Sequence, residues 1–358
     1  IVHIASISTS GSIVKTQMKE VALFPCFQIG LSVLRETNET NGPHVKQALE
    51  LLAECLHFAV KETDSFTNFK DEIQYQVINL PLVFRDVVAS PDMIKYFFTI
   101  ALDATSQPIE DDCYQILLNF CSIKRSMFIN SDNELSCLIE MATGLRSVLS
   151  QKSEFSLVAQ ILYRMIYLYD NTLILHCQQF FELMEIVAST TFALLADPKN
   201  LIESYTVNFL MKFWRYILSV DRQNEVQDTI LPISVKYVEA LISLFDFISQ
   251  DECDEILVTS NGKLSDQISV LPGILRANME QASTNILDYF GRFIEEFFRT
   301  HYDILEKKIA LLVLIITSTL KGDCFTKNSN GAANFEATIT QAAFNLLQST
   351  ESLYQSSS

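Results

Sequence analysis

The residues best suited to bind a metal ion are two neighbouring pairs, Cys55 with His57 and His176 with Cys177. Zinc prefers imidazole and thiolate ligands, but its sites use characteristic spacings such as C-x-x-C or H-E-x-x-H. The sequence contains neither pattern. Residues one or two positions apart on a helix point to different faces, so neither pair is expected to share a metal ion. We therefore predict no metal site and no cofactor.

Patterns typical of enzymes are equally scarce. Ser12 and Lys15 have the S-x-x-K spacing of one class of serine enzymes, but the companion motifs of that class are missing. The acidic run Glu110–Asp112 falls in the first turn of a predicted helix, where carboxylates complement the helix dipole. Glycine-rich phosphate loops and the G-x-S-x-G turn do not occur. The sequence therefore predicts a protein that is not an enzyme.

The charge balance narrows the class of partner. The 358 residues include 26 Lys and Arg against 43 Asp and Glu, for a net charge of −17. Nucleic acids and anionic membranes are bound by clustered cations, so we expect neither as a partner. The longest apolar run, 309–317, is too short to span a bilayer, which takes about 20 residues. A basic protein partner fits this charge, and the alternative is that the charge only confers solubility.

The elements that would position any site are helices. Only nine glycines and eight prolines occur, too few for the many turns of a sheet protein. Apolar residues recur with helical spacing over 44–61 and 108–125. Ser90-Pro91 predicts a helix start with a hydroxyl cap, and Ser131 with Glu134 matches the capping box. The sequence predicts an all-α fold.

The predicted helix starts recur at regular intervals along the chain. They form two interleaved series, one at Ser90, Ser131 and Thr172 and one at Pro108, Ser153 and Pro198. The period of about 40–47 residues is typical of HEAT and armadillo arrays, whose helix pairs bury their apolar faces only by stacking. We predict an α-solenoid of HEAT-type antiparallel helix pairs that follows a superhelical path.

The array is predicted to be single and continuous over 1–358, with about six helix pairs. Further pairs are predicted at 16–35 with 44–61, at 228–249 with 273–299, and at 304–321 with 333–355. Polar connections are predicted at 61–79, 250–270 and 322–334. Because the sequence begins with Ile1 and not Met, we expect it to be an internal part of a longer chain.

Cysteine and phenylalanine usage agree with this interpretation. None of the eight cysteines forms a C-x-x-C pair, and Cys113, Cys121 and Cys137 lie in apolar helical stretches. We predict reduced thiols in the cytosol or nucleus. The 25 phenylalanines are expected to fill the seams between repeats. The alternative is that some seams form grooves for apolar side chains of a partner.

Several segments, in the same order along the chain, resemble the exportins of the importin-β superfamily, in particular the exportin-7 branch. The segment 121–130, Cys-Ser-Ile-Lys-Arg-Ser-Met-Phe-Ile-Asn, resembles a stretch of that branch, and Leu145–Leu149 follows it as there. Upstream, Leu80–Arg85 and Ile94–Phe98 are similar to the family's proline-containing approach and aromatic helix. Downstream, Tyr205–Trp214 is similar to a family helix that ends in tryptophan.

This resemblance implies a Ran-dependent nuclear transport receptor that shuttles between nucleus and cytoplasm. Such receptors bind the GTP form of Ran and protein cargo, and contact the phenylalanine-glycine repeats of nucleoporins. The family's principal Ran-binding repeats precede the region of resemblance, so Ran contacts are expected mainly outside this chain. The alternative function is a HEAT-repeat scaffold that assembles other proteins without Ran.

The candidate partner-binding residues are charged. Lys124 and Arg125 are predicted at the end of a helix, where the alternative role of a cation is to complement the dipole. The second group consists of the loop acids Asp251, Glu252, Asp254 and Glu255, which would face a basic partner or only solvent. Trp214 is assigned to the core.

Overall fold

A computed structural model describes residues 22–37, 41–58, 77–152, 155–249, 263–275, 279–300 and 303–321, apart from positions 79, 204 and 221–225, with scattered positions between 337 and 351. Contacts divide the chain into two compact units, Ile1–Ile186 and Val187–Ser358. Regular structure in the described ranges is helical, and the only extended pairing there is a single parallel bridge between Ile78 and Ile123. The predicted all-α fold is confirmed.

Among its described residues, the first unit contains eight helices and the start of a ninth. They are α1 (Leu23–Glu36), α2 (Pro43–Phe58), α3 (Arg85–Val88), α4 (Pro91–Asp103), α5 (Gln107–Cys121), α6 (Ser131–Gln151), α7 (Ser156–Leu168), α8 (Asn171–His176) and α9 (Gln178–Leu194). Helix α1 packs on α2, α4 on α5, and α6 on α7. Only three residues connect α4 to α5, so this pair is antiparallel.

The helix pairs of the first unit stack in two layers. Helices α2, α5 and α7 pack side by side in one layer, and α4 packs on α6 in the other. Helix α2 and helices α4 to α7 therefore each contact their partner and the equivalent helix of a neighbouring pair, which is the packing of a helical-repeat solenoid. The superhelical path of the predicted array stays a prediction.

The second unit repeats this scheme. Its helices are α10 (Asn200–Glu203), α11 (Thr206–Val220), α12 (Gln227–Leu244), α13 (Lys263–Leu275), α14 (Met279–Thr300) and α15 (Asp303–Lys321). Helices α11, α13 and α15 form one row, and α12 packs on α14 in the other. Trp214 on α11 is fully buried, as predicted, and its Nε1 donates a hydrogen bond to the Thr191 hydroxyl at 3.1 Å.

Aromatic side chains and one glycine set the packing of α4 in the first unit. Phe97 and Phe120 meet edge to face across α4 and α5, with ring centroids 5.6 Å apart. Phe98 lies against Gly144 of α6, where an added Cβ would come within 2.1 Å of the ring. Glycine at position 144 is therefore what lets α4 and α6 approach so closely. Phenylalanine fills the seams of this unit, as expected.

Several predicted boundaries are corrected by the structure. The helix predicted over 108–125 ends at Cys121, and the one predicted over 273–299 is two helices, α13 and α14. Helix α13 begins at Lys263, inside the connection predicted over 250–270. Helices α2, α12 and α15 match their predicted ranges to within a few residues. Positions 16–21, Ser153 and most of 333–355 lie outside the described residues.

The predicted helix caps are also partly wrong. Ser90 precedes Pro91 at the start of α4 as predicted, but its hydroxyl makes no capping hydrogen bond. The cap of α6 is Asn130, whose side chain accepts a hydrogen bond from the Asn133 N–H. Ser131 is the first helical residue, so the predicted capping box is shifted by one position. Glu134 is thereby free for other contacts.

Candidate partner-binding site

The connection from α5 to α6, residues 122–130, contains one of the segments that resemble the exportin-7 branch. The backbone N–H of Ile78 donates to the Ser122 carbonyl at 2.7 Å, and Arg85 donates from Nη2 to the Ser126 carbonyl at 2.8 Å. One turn of 3₁₀ helix, Arg125–Met127, lies at its centre. Met127 and Phe128 are buried, whereas Lys124 and Arg125 are exposed. The connection is thus an ordered segment that presents two cations.

Arg125 joins two carboxylates that lie 36 residues apart in the chain. Its Nε is 3.3 Å from Glu134 Oε1, and its Nη2 is 2.5 Å from Asp170 Oδ2. The Glu134 side chain is only 5% exposed, whereas that of Arg125 is 55% exposed. We call Arg125, Glu134 and Asp170 the connector latch, because they link the α5–α6 connection to the α7–α8 connection.

Asp170 takes part in the latch through its backbone as well as its side chain. Its N–H donates to Glu134 Oε1 at 3.0 Å. Its carboxylate caps α8, accepting hydrogen bonds from the N–H and the hydroxyl of Thr172. These bonds to Thr172, reinforced by Arg125, lower the pKa of Asp170 to about 2. The hydrogen bond to Asp170, followed by the nearby Glu134 and Asp170 charges, raises the pKa of Arg125. Both groups are therefore charged at neutral pH.

The first turn of α6 also reaches back to the preceding helix pair. Asn133 donates from Nδ2 to the Ala89 carbonyl at 2.9 Å, and its Oδ1 accepts from the Ile129 N–H at 3.2 Å. Ala89 lies just before α4. Asn133 and Glu134 therefore tie together the connections that precede α4, α6 and α8. This edge of the first unit is held by side chains from a single helical turn.

The structure places the two predicted cations differently from the sequence argument. They do not end a helix: α5 stops at Cys121, and Lys124 precedes the 3₁₀ turn. Lys124 is exposed and has no carboxylate partner among the described residues, whereas Arg125 is held by the latch. The helix-dipole role is therefore wrong for both. Their role in binding a partner stays a prediction.

The other predicted partner-binding group lies outside the described residues. Asp251, Glu252, Asp254 and Glu255 fall in 250–262, whose placement is not described. Their role as a surface for a basic partner stays a prediction.

Sequence reasoning missed two members of the latch. The sequence predicts a capping-box role for Glu134 and a helix start at Thr172, whereas Asp170 is the residue that caps α8. The signal for Asp170 is present in the sequence, because Asp is a preferred N-cap residue and stands directly before Asn171. Nothing local signals the pairing of Glu134 with Arg125 and Asp170, because it depends on how two connections stack.

The acidic run at the start of α5 splits into buried and half-buried carboxylates. Glu110 is buried, pairs with Lys152 at 3.2 Å and accepts a hydrogen bond from the Tyr114 hydroxyl. Asp112 keeps one buried oxygen without a hydrogen-bond donor. Burial, and then repulsion from Glu50, raises the pKa of Asp112 to about 6. Glu110 therefore belongs to a structural ion pair, whereas the charged form of Asp112 is destabilised by its surroundings.

The candidates for metal binding do not converge. Cys55 is buried whereas His57 is exposed, and Cys177 is buried whereas His176 is exposed. Within the described ranges, no three His, Cys, Asp or Glu side chains lie close enough together to hold a metal ion. Cys113, Cys121 and Cys137 are buried free thiols, as predicted. Burial raises the pKa of Cys137 to about 12, so this thiol is protonated at neutral pH.

Comparisons with known proteins add no assignment. No protein-family model matches the sequence, and no curated protein matches it. None of the helices that the structure describes is both long and apolar enough to cross a bilayer. The family resemblance therefore rests on the residues that carry it.

Proposed function

We propose that this chain is part of a Ran-GTP-dependent nuclear export receptor, which carries protein cargo between nucleus and cytoplasm. Stacked helix pairs support this proposal, because a solenoid contacts only neighbouring repeats and leaves long surfaces for protein partners. Ran in its GTP form, protein cargo and phenylalanine-glycine nucleoporins are the proposed partners. Nucleic acid and membrane insertion are not part of the proposal.

The observation that carries the proposal is the collinear order of the segments that resemble the exportin-7 branch, from Leu80–Arg85 to Tyr205–Trp214. Among them, the 122–130 connection holds Met127 and Phe128 in the core and Lys124 at the surface. Some of the residues that carry the resemblance are therefore core residues, and others are exposed at the surface. Trp214, at the end of another resembling segment, lies in the core of its own unit.

The test is whether the nucleotide state of Ran decides binding. Ran loaded with GTP or with GDP is immobilised, and the full-length natural protein containing this sequence is passed over each. We expect retention on the GTP form alone. Equal retention on both forms would contradict the proposal. Retention on neither form would favour the alternative, a HEAT-repeat scaffold that works without Ran.

Lys124 offers a test of the proposed site, because its exchange leaves the latch intact. We expect Lys124→Glu to weaken binding to Ran-GTP several-fold at low salt and less at high salt. The matched control is Lys95→Glu, an equally exposed lysine on α4. If both substitutions weakened binding to Ran-GTP equally, Lys124 would not belong to the binding site. The nucleotide test of the proposed function would be unaffected by that result.

The loop acids call for a separate exchange. We expect reversal of charge at Asp251, Glu252, Asp254 and Glu255 together to weaken binding of a basic partner in a salt-dependent way without lowering the melting temperature. Unchanged binding would assign these acids to solvent.

A further inference from the structure

Helix α8 has little packing of its own. It comprises six residues, Asn171–His176, and only Ile174 among them is buried. A helix this short is marginal in isolation, because the cost of its first turn is spread over few hydrogen bonds. Segments with few buried apolar contacts open locally at a lower free energy than the core of a domain. Helix α8 therefore depends on contacts at its ends.

The first residue of α8, Asn171, destabilises the folded form of this helix. Asn171 Oδ1 is buried and accepts no hydrogen bond. A buried acceptor without a donor is destabilising, and it recovers its hydrogen bonds when the segment meets water. Opening of α8 would relieve this cost.

The latch supplies the contacts that keep α8 closed. Asp170 caps the helix through its carboxylate, and Asp170 is itself held by the Glu134 carboxylate and the Arg125 guanidinium. Without Arg125, the Glu134 and Asp170 carboxylates would face each other with no cation between them. Their repulsion would drive Asp170, and with it the cap of α8, away from the buried Glu134.

We propose that α8 is a locally opening segment of the first unit and that Arg125 controls its closed state. The Arg125 side chain is 55% exposed, so an anionic group in solution can reach it while it still holds the latch. An anion that binds Arg125 in place of Glu134 and Asp170 therefore favours the open form of α8. The inference concerns the free chain and does not depend on the proposed function.

Native-state hydrogen exchange of the full chain tests the local opening. The backbone amides of α8 are compared with those of α6 at several low concentrations of denaturant. We expect the α8 amides to exchange at a lower free energy with almost no dependence on denaturant, since a local opening exposes little surface. Exchange of both helices at the same free energy and with the same denaturant dependence would overturn the proposal.

The role of Arg125 is tested with Arg125→Gln. We expect α8 amides to exchange about tenfold faster than in the natural sequence, still without dependence on denaturant, because hydrogen bonds to a charged group are lost. The matched control is Arg146→Gln. Arg146 lies farther along α6 and forms an ion pair with Glu182 of α9, and the two side chains are 50% and 40% exposed. If the α8 amides exchanged at the same rate in both variants, the proposal that Arg125 keeps α8 closed would be overturned.

A second variant keeps the test decisive if Arg125→Gln fails to fold. Arg125→Lys retains the charge but offers a single point of contact in place of the guanidinium fork. We expect α8 exchange in this variant to be faster than in the natural sequence and slower than in Arg125→Gln. Exchange identical to the natural sequence would contradict the bridging role of the guanidinium.

Discussion

Each unit contains an ion pair with one buried partner, and the sign of the buried charge differs between the two pairs. In the connector latch of the first unit, the acid is buried and the cation is exposed: Glu134 is 5% and Arg125 55% exposed. In the second unit, Lys308 pairs with Asp246, and here the cation is 10% and the acid 49% exposed. Lys308 Nζ lies 2.6 and 2.7 Å from the two Asp246 oxygens and 5.6 Å from the centre of the Phe293 ring.

The comparison shows which partner of each ion pair would destabilise the fold more when it is substituted. Removal of the exposed partner leaves a charge buried without compensation, which costs more than the pair itself contributes. In the first unit that exposed partner is Arg125, and in the second it is Asp246. The Phe293 ring still stabilises Lys308 when Asp246 is gone, whereas Glu134 would keep only the Asp170 N–H.

A second difference concerns how closely helices approach. Gly144 of α6 has no room for a Cβ because Phe98 of α4 touches it, whereas nothing lies within 4 Å of a Cβ added at Gly291 of α14. Glycine at position 144 thus permits close packing of α4 and α6. At position 291 the same residue type only lowers helix propensity.

The largest expected effect is that of Gly144→Ala. The new methyl group would overlap the buried Phe98 ring, so we expect the free energy of unfolding to fall by about 2–3 kcal/mol. Gly291→Ala is the matched exchange and should raise it by about 0.5–1 kcal/mol. Urea denaturation of both variants measures the difference. A stabilising Gly144→Ala would show that α4 and α6 are not in close contact.

Next in size is Arg125→Gln, which leaves Glu134 buried without its cation. We expect the free energy of unfolding to fall by about 2 kcal/mol. In a background of Glu134→Gln, the same exchange should cost less than about 0.5 kcal/mol, because no buried charge is left. Urea denaturation of the four proteins of this cycle gives the coupling. Equal losses in both backgrounds would mean that Arg125 does not act through Glu134.

A smaller loss is expected for Asp246→Asn in the second unit. The amide oxygen still accepts a hydrogen bond from Lys308, and the Phe293 ring remains beside it, so we expect a loss of about 1 kcal/mol. Glu239→Gln is the control, since Glu239 and its partner Lys236 are both half-exposed and the new amide oxygen can still accept the hydrogen bond from the Tyr289 hydroxyl. Thermal denaturation compares them, and an equal effect would contradict the burial argument.

The smallest expected effect is a pH-dependent gain for Asp112→Asn. The pKa of Asp112 is raised from 3.8 to about 6, so the folded state binds its proton more tightly than the unfolded state. The stability that this group contributes is therefore present at low pH and lost as pH rises from about 4 to about 6.

The variant should accordingly match the natural sequence at pH 3.5 and exceed it at pH 7.5. Because Asp112 is partly exposed, we expect a gain below about 1 kcal/mol. Melting temperatures across this pH range provide the measurement. A gain that is the same at both pH values would contradict its origin in the burial of the charged carboxylate and in repulsion by Glu50 and Asp111.

Local signals were sufficient for much of the fold. Ser90-Pro91 and Ser131 marked the starts of α4 and α6 to within one residue, because these rules depend on the chain itself. The helix start predicted at position 273 is wrong, since Pro272 and Gly273 lie inside α13. There the Gly273 backbone packs closely on Arg215 of α11, a contact between distant residues that no local rule contains.

The candidate site was less predictable than the fold. Lys124 and Arg125 stand out as adjacent cations in an acidic chain, and this much is readable from the sequence. The bond of Arg125 to Asp170 spans 45 residues and exists only because two connections stack at one edge. Sequence identifies a cation, but the stacking of repeats decides which acid holds it.

The most direct test of the proposed function is the ratio of two affinities. The full-length natural protein is titrated against Ran-GTP and against Ran-GDP at the same ionic strength. An export receptor predicts an affinity at least about a hundredfold higher for the GTP form, a coupling of about 2.7 kcal/mol. Equal affinities for the two forms would contradict the account.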